Sequence, residues 1–245
     1  MPTYIGENKI VDRYLGDKFL EAAYIGDKKV YDQLYRQVEY IKSTGTQYIQ
    51  TDIIPFNTTK IKLDMQFGDF HEYANASTYN SYFCGVAEFG GDTTSEVFWG
   101  ASLNELSGST NFDFYLGNVS WQESANHISN PANITTRQTM QICRGDSYWG
   151  NQTALVNTAV TKAEPTKPLA IMGFNCVDRP NFSPNPYKCR NLIIYGAMIY
   201  LDGSELSHNL IPVERKDGEL GLLDTVTNKF YANAGTGTFE KGDYI

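Results

Sequence analysis

Histidine and cysteine are scarce in this chain of 245 residues, with three copies of one and four of the other. His71, His127 and His208 stand apart, none beside a serine or cysteine in a nucleophile motif, and no His, Cys or carboxylate spacing matches a zinc site. Basic clusters are missing too. Lys and Arg number 20 against 28 Asp and Glu, for a net charge of −8, and no Lys/Arg run occurs. Such a chain repels phosphate, so nucleic acid is not expected as a partner. No apolar run approaches the ~20 residues that span a bilayer. The opening MPTYIGENK lacks the basic and apolar regions of a secretory leader, so export is not expected. Cys84, Cys143, Cys176 and Cys189 form no Cys-x-x-Cys and are then expected to be reduced and mostly buried. The alternative is a Cys176–Cys189 disulfide closing the loop VDRPNFSPNPYK. Helical periodicity is also absent. Its nearest approach, ALVNTAVTKAEP, is weakened by its Val/Thr content and by Pro165.

What the chain has in quantity is aromatic side chains, 17 Tyr and 13 Phe, which suit pleated, half-buried surfaces. It also has a repeat. In YIGENKIVDRYLGDKFLEAAYIGDKKVYDQ, a phrase opened by Tyr4, Tyr14 and Tyr24 returns every ten residues. Each copy sets a glycine before an acidic residue, at Gly6-Glu7, Gly16-Asp17 and Gly26-Asp27. That pair suits the centre of a type II′ hairpin turn. Strand-length runs separate the turns, from Lys9 to Leu15 and from Lys18 to Ile25, so the expected unit is a small β-meander of up to four strands. Two half-apolar faces on so short a ribbon are marginal alone and must be covered by something. A hairpin packed on its own domain is one solution. The favoured one is an attachment or oligomerisation module, residues 1–35, with Tyr4, Tyr14, Tyr24, Leu15 and Ile25 as its assembly contacts.

From Val38 the pattern is alternation broken by turns. VEYIKSTGTQYIQTDIIP gives two short strands around Ser43-Thr44-Gly45, and Pro55 stops the second. TKIKLDMQF sets Ile61, Leu63, Met65 and Phe67 against Lys60, Lys62, Asp64 and Gln66, the period of a strand with one buried face. SYFCGVAEFG, SEVFWGAS, NFDFYLGNVSW and TRQTMQICRG continue in kind. NLIIYGAMIYL is apolar on both faces, as a central strand is, and ends at the turn pair Asp202-Gly203. The expected fold is all-β, a two-sheet antiparallel sandwich over residues 36–245, with Arg179 to Pro186 as a surface loop. Asp224 and Asn228 bracket a turn in the closing hairpin, and Gly235 and Gly237 supply backbone freedom there.

VEYIKSTGTQYIQTDIIPFNTTKIKLDMQF resembles the opening strands of laminin-G-like, concanavalin-A-type jelly rolls of bacteriophage virion proteins and gut-bacterial surface proteins. The passage from Gly221 to Gly237, GLLDTVTNKFYANAGTG, resembles the end of those domains, and the Gly-Asp-Lys repeats resemble segments joined to them in phage proteins. The resemblance implies a jelly-roll sandwich in a virion structural protein: a capsid decoration, head fibre or tail component assembled in the host cytoplasm. Its implied partners are other virion proteins and copies of itself, with a trimer expected for a fibre. The second implied role is a carbohydrate-binding, lectin-like domain for host or mucosal glycans.

Glycosidases on such folds carry paired carboxylates as Glu-x-Asp-x-x-Glu on one strand. The nearest cluster here, Glu88, Asp92 and Glu96, is interrupted by Gly90-Gly91 and Thr93-Thr94, so no enzyme activity is expected. The same family often holds calcium through loop oxygens. Asp92 and Asp146 could serve, but no motif supports it, and no cofactor is expected. Arg144-Gly145-Asp146 spells an adhesion tripeptide that recurs by chance. For glycan stacking the candidates are Tyr148, Trp149 and Asn151, with Gln152, in SYWGNQT, and Trp121 with Gln122 in SWQESANH. Both tryptophans compete for places in the core, and Trp99 in EVFWGA is assigned there.

Overall fold

The computed structural model describes residues 4–5, 8–9, 14–15, 18–19, 22–25, 28–32, 34–68, 79–88, 97–106, 109–118, 126–156, 164–177, 187–188 and 190–245. Among them there is no helix. Six strands form the repeated segment: β1 (Tyr4–Ile5), β2 (Asn8–Lys9), β3 (Tyr14–Leu15), β4 (Lys18–Phe19), β5 (Ala22–Ile25) and β6 (Lys28–Asp32). Then come β7 (Tyr35–Gln37), β8 (Ile41–Thr44), β9 (Ile49–Gln50), β10 (Lys60–Phe67), β11 (Tyr79–Glu88), β12 (Val97–Leu106) and β13 (Ser109–Asn118). The middle holds β14 (Asn126–Ser129), β15 (Gln138–Ile142), β16 (Tyr148–Trp149), β17 (Gln152–Thr153), β18 (Leu155–Val156), β19 (Ala170–Ile171) and β20 (Gly173–Val177). The end holds β21 (Tyr187–Lys188), β22 (Arg190–Tyr200), β23 (His208–Arg215), β24 (Leu220–Asp224), β25 (Lys229–Ala232) and β26 (Glu240–Lys241).

Two large sheets result. The first, eleven-stranded, runs β17-β16-β15-β10-β22-β23-β24-β25, with β8 also on β22, β26 on β8 and β7 on β23. The second, seven-stranded, runs β18-β14-β13-β12-β11-β20-β21. Among the described strands every pairing is antiparallel except β11 with β20, which are parallel, with Cys84 opposite Gly173. The two sheets share one core. Ile61, Leu63, Met65 and Phe67 of β10 are buried in alternation with Lys60, Lys62, Asp64 and Gln66, as the period-two pattern requires. Phe67 lies 5.6 Å from Phe83 and 5.9 Å from Phe112 between ring centroids, across the gap between the sheets. Each such side chain removed from water contributes about 1.5–3 kcal/mol. The fold is therefore a β-sandwich.

Two glycines let the seven-stranded sheet take an aromatic layer on its other face. Gly85 and Gly100 are directly opposite on β11 and β12, both at positive φ. A Cβ on Gly100 would meet the Cys84 carbonyl oxygen at 2.1 Å and the Phe174 ring at 2.7 Å. Phe174 thus lies on bare backbone, beside Tyr82, Phe98 and Tyr115 in a second buried cluster.

Several sequence expectations meet the structure directly. NLIIYGAMIYL is the central β22, flanked by β10 and β23, and the chain turns at Asp202-Gly203 with Gly203 at φ 81°. The closing hairpin pairs Asp224 with Lys229 around Thr225-Val226-Thr227, and Asn228 takes φ 58°. Gly237 has φ 73°, whereas Gly235 is needed for space, since a Cβ there would meet Thr46 O at 2.0 Å. The two strands around Ser43-Thr44-Gly45 exist but do not pair with each other: β8 joins β22 and β26, and β9 joins β19. The meander expected from the repeats is replaced by three separate hairpins, β1–β2, β3–β4 and β5–β6. Their strands are two to five residues long. The passage from Arg179 to Pro186 lies outside the described residues, as does all of ALVNTAVTKAEP between 157 and 163.

Candidate functional site

The three hairpins have one register. Ile5 faces Asn8, Leu15 faces Lys18 and Ile25 faces Lys28, so the same pairing recurs on either side of each Gly-acidic pair. Tyr4, Tyr14 and Tyr24 are the next residue out in every copy, opposite Lys9, Phe19 and Lys29. The turn residues themselves, and the side chains of these strands, lie outside the described part. Among the described residues each hairpin is a two-stranded sheet with no third strand on either edge, and the third carries a register shift at Ala23/Tyr24 that the other two lack.

The chain leaves the third hairpin at one end of the sandwich. Lys216 N donates to Leu34 O at 2.9 Å, and β7 pairs with Val213–Arg215 of β23. The last residues lie along the other side of β7: Glu39 N donates to Asp243 O at 2.8 Å and Ile245 N to Gln37 O at 3.2 Å. The Arg36 guanidinium covers the Tyr244 ring at 3.6 Å, and Lys241 Nζ binds Glu214 Oε2 at 2.8 Å. Leu34, Tyr244 and Ile245 remain exposed around this junction. Between Gly218, Leu220, Asn233, Gly237 and Phe239 the same end holds a cleft of about 240 Å³.

The proposed glycan cluster is divided by its own strand. Alternation along β16 turns Tyr148 outward and Trp149 inward. Trp149 is 1% exposed, 5.1 Å from Phe112 and 6.4 Å from Phe67 between centroids, and its Nε1 donates to Ala132 O at 2.7 Å. Both faces of the indole belong to the core, which corrects its assignment as a stacking platform. Tyr148 is half-buried and Asn151 exposed. Gln152 Oε1 accepts from Ala132 N at 2.6 Å, so it too holds the 130–137 loop. Trp121 lies outside the described residues, and Trp99 is in the core.

The remaining candidates have structural employment. Glu88 accepts from Lys167 N at 2.8 Å and Thr166 Oγ1 at 2.9 Å, anchoring the 164–169 segment, while Asp92 and Glu96 lie outside the described residues. Arg144 Nη1 donates to Leu116 O at 2.7 Å, and Asp146 Oδ2 accepts from Gln141 Nε2 at 2.8 Å, so both ends of Arg-Gly-Asp are engaged in the fold. Among the described residues no three His, Cys, Asp or Glu side chains gather as a metal ligand set. Cys84 is a free thiol whose burial pushes its pKa up to about 12, and Cys143 is free and half-buried. Cys189, and so its pairing with Cys176, lies outside the described residues. No helix among the described residues is long and apolar enough to cross a membrane.

One polar cluster was not visible in the sequence. Asp224, fully buried, accepts from His208 Nδ1 at 2.7 Å, Thr227 Oγ1 at 2.6 Å, and the backbone N–H groups of Asn209 and Val226, both at 3.0 Å. Burial alone would raise its pKa. The bonds from Thr227, His208, Asn209 and Val226 outweigh that and hold it below the usual carboxylate range. His208 is therefore not isolated. The cluster fastens the β23–β24 pair to the turn after β24.

No protein-family model, curated protein or solved structure matches the chain.

Proposed function

We propose that this chain is a structural protein of a bacteriophage virion, a capsid decoration, head fibre or tail component. Residues 1–35 attach or oligomerise it, and residues 36–245 are a displayed jelly roll of the concanavalin-A or laminin-G type. The supporting observation is the threefold repetition of one hairpin register. An isolated two-stranded hairpin is marginal in water, so three short ones gain their stability from neighbours: copies of this chain, with a trimer the simplest arrangement, or other virion proteins. Their point of entry is consistent with that division, since the sandwich ties down the chain from Leu34 onward and exposes apolar side chains around it. The role is structural rather than catalytic, and the site of residence is the particle, assembled in the host cytoplasm. The alternative, a carbohydrate-binding domain, would have to work without Trp149, which is 1% exposed and packed against Phe112.

The test is electron microscopy of purified phage particles labelled with an antibody against residues 36–245. Labelled intact particles, with the antigen co-sedimenting, are expected. Bare particles with all antigen in the soluble lysate would overturn the reading.

A further inference from the structure

Four large apolar side chains stand exposed on three loops at one end of the sandwich: Ile54 (38%), Phe56 (43%), Leu206 (42%) and Val226 (51%). The loops, 51–59, 201–207 and 225–228, are bonded into one platform. Thr58 and Thr59 each donate through Oγ1 to Leu201 O at 3.1 Å. A Cβ on Gly203 would meet Thr58 O at 2.9 Å, so the first two loops touch backbone to backbone. Lys229 and Tyr231 both bind the Asp52 carboxylate, and Thr225 N donates to Asn209 O at 2.8 Å. Within 51–59 exposure alternates. Ile53 and Pro55 are buried, Ile54 and Phe56 stand out, and Phe56 N donates to Thr59 Oγ1 at 2.8 Å to fix the bend. A fourth loop, 143–147, is joined on through Arg144 Nη1, 3.5 Å from Asn57 Oδ1.

The rim of this platform is acidic. Asp146, Asp202 and Glu205 are exposed, and none is ion-paired with a described residue. Of the adjoining cations, Lys229 is paired with Asp52, while Arg144 and Lys60 keep their charge but are half-buried, one on Leu116 O and the other over the Tyr200 ring at 4.4 Å, so the exposed unpaired charges are the acidic ones. Backbone N–H groups of Ser204 and Glu205 donate to the Asp202 carboxyl and hold its pKa below the usual range. The position is also defined. The platform gathers at the His208 end of β23, whereas β7 joins at the Arg215 end. The eight residues of β23 set them seven steps apart, roughly 23 Å.

Single exposed apolar residues mean nothing, but several on bonded loops at one pole form a patch. We propose that this pole is a docking surface for a partner protein presenting an apolar pocket rimmed by Lys and Arg. A second copy would bring one acidic rim against another. Anionic lipid and nucleic acid are repelled for the same reason. A sugar would find a single aromatic ring to stack on, Phe56, among three aliphatic groups. Loops already fixed by hydrogen bonds lose little freedom on binding. The inference stands whether or not residues 1–35 attach the chain to a particle.

The test uses the full chain and a short synthetic peptide in which Leu and Phe alternate with Arg, against a twin carrying Glu in place of Arg, by fluorescence anisotropy. The basic peptide is expected to bind and the acidic twin not. Phe56→Ser and Val226→Ser should each weaken binding about tenfold or more. High salt should weaken it too, while Leu34→Ser at the other pole leaves it unchanged. Far-UV circular dichroism and melting curves that match the parent keep the comparison valid, because these side chains are exposed. Equal binding of the two peptides, or binding untouched by Phe56→Ser and Val226→Ser, overturns the proposal. So does a fall in oligomeric mass in Phe56→Ser, which would assign the surface to a second copy.

Discussion

Replacing Trp149 by alanine is expected to lower the stability of the full chain by about 3–5 kcal/mol, read from urea unfolding. The loss has two sources. The indole packs against Phe67 and Phe112, and its removal leaves a cavity the rigid strands close only partly. It also strands Ala132 O, which accepts the Nε1 proton at 2.7 Å. Tyr148→Ala, one residue away and facing outward, should cost under about 1 kcal/mol. A Trp149→Ala loss no larger than that of Tyr148→Ala would mean that the indole is not part of the core, and would return it to the list of surface residues.

Asp224→Asn is expected to be nearly as damaging, about 3–5 kcal/mol near neutral pH. The carboxylate takes four donors, and an amide of the same shape offers one acceptor oxygen and turns an NH2 toward the others. The pH dependence follows from the direction of its shift. The folded pKa lies below the unfolded value of about 3.9. Its contribution is therefore complete above about pH 5 and is lost as pH falls through the folded value. The gap between parent and variant should be widest near neutrality and shrink progressively in acid. Comparing the two proteins cancels the other depressed carboxylates, Asp52, Asp202, Glu214 and Asp217, which are common to both. A gap that stays constant down to strong acid would show that Asp224 contributes shape alone.

Much of the sandwich could be read from the residues because its signals are local. Ile61, Leu63, Met65 and Phe67 alternate with charged neighbours, and one buried sheet face is the only way to satisfy all of them. The apolar run of β22 and the Asp202-Gly203 turn speak for themselves in the same way. Partner choice was not legible. The strands on either side of Ser43-Thr44-Gly45 look like a hairpin, yet β8 and β9 are claimed by strands far away in sequence. The parallel β11–β20 pair depends on a chain crossover that no local pattern records.

Sites fared worse for the same reason. Tyr148 and Trp149 sit together in a turn-rich phrase, and only the pairing of Trp149 with Met140 decides which of them faces the core. The His208–Asp224 contact spans 16 residues across paired strands, so a search for neighbouring histidine and carboxylate passes over it. Registering HNLIPVER against LGLLD would have found it, because that register sets Leu210 opposite Asp224. The patch at Ile54, Phe56, Leu206 and Val226 is a property of loops brought together by Thr58, Thr59 and Asp52, and does not exist along the chain at all.

The division of labour between repeats and sandwich is tested most directly by light scattering after size exclusion, on the full chain and on residues 36–245. The expected result is a multiple of the chain mass, a trimer in the simplest case, for the full chain, and a folded monomer for the shortened one. One and the same mass for both, with the sandwich equally folded in each, would contradict the proposal that the three hairpins exist to join chains.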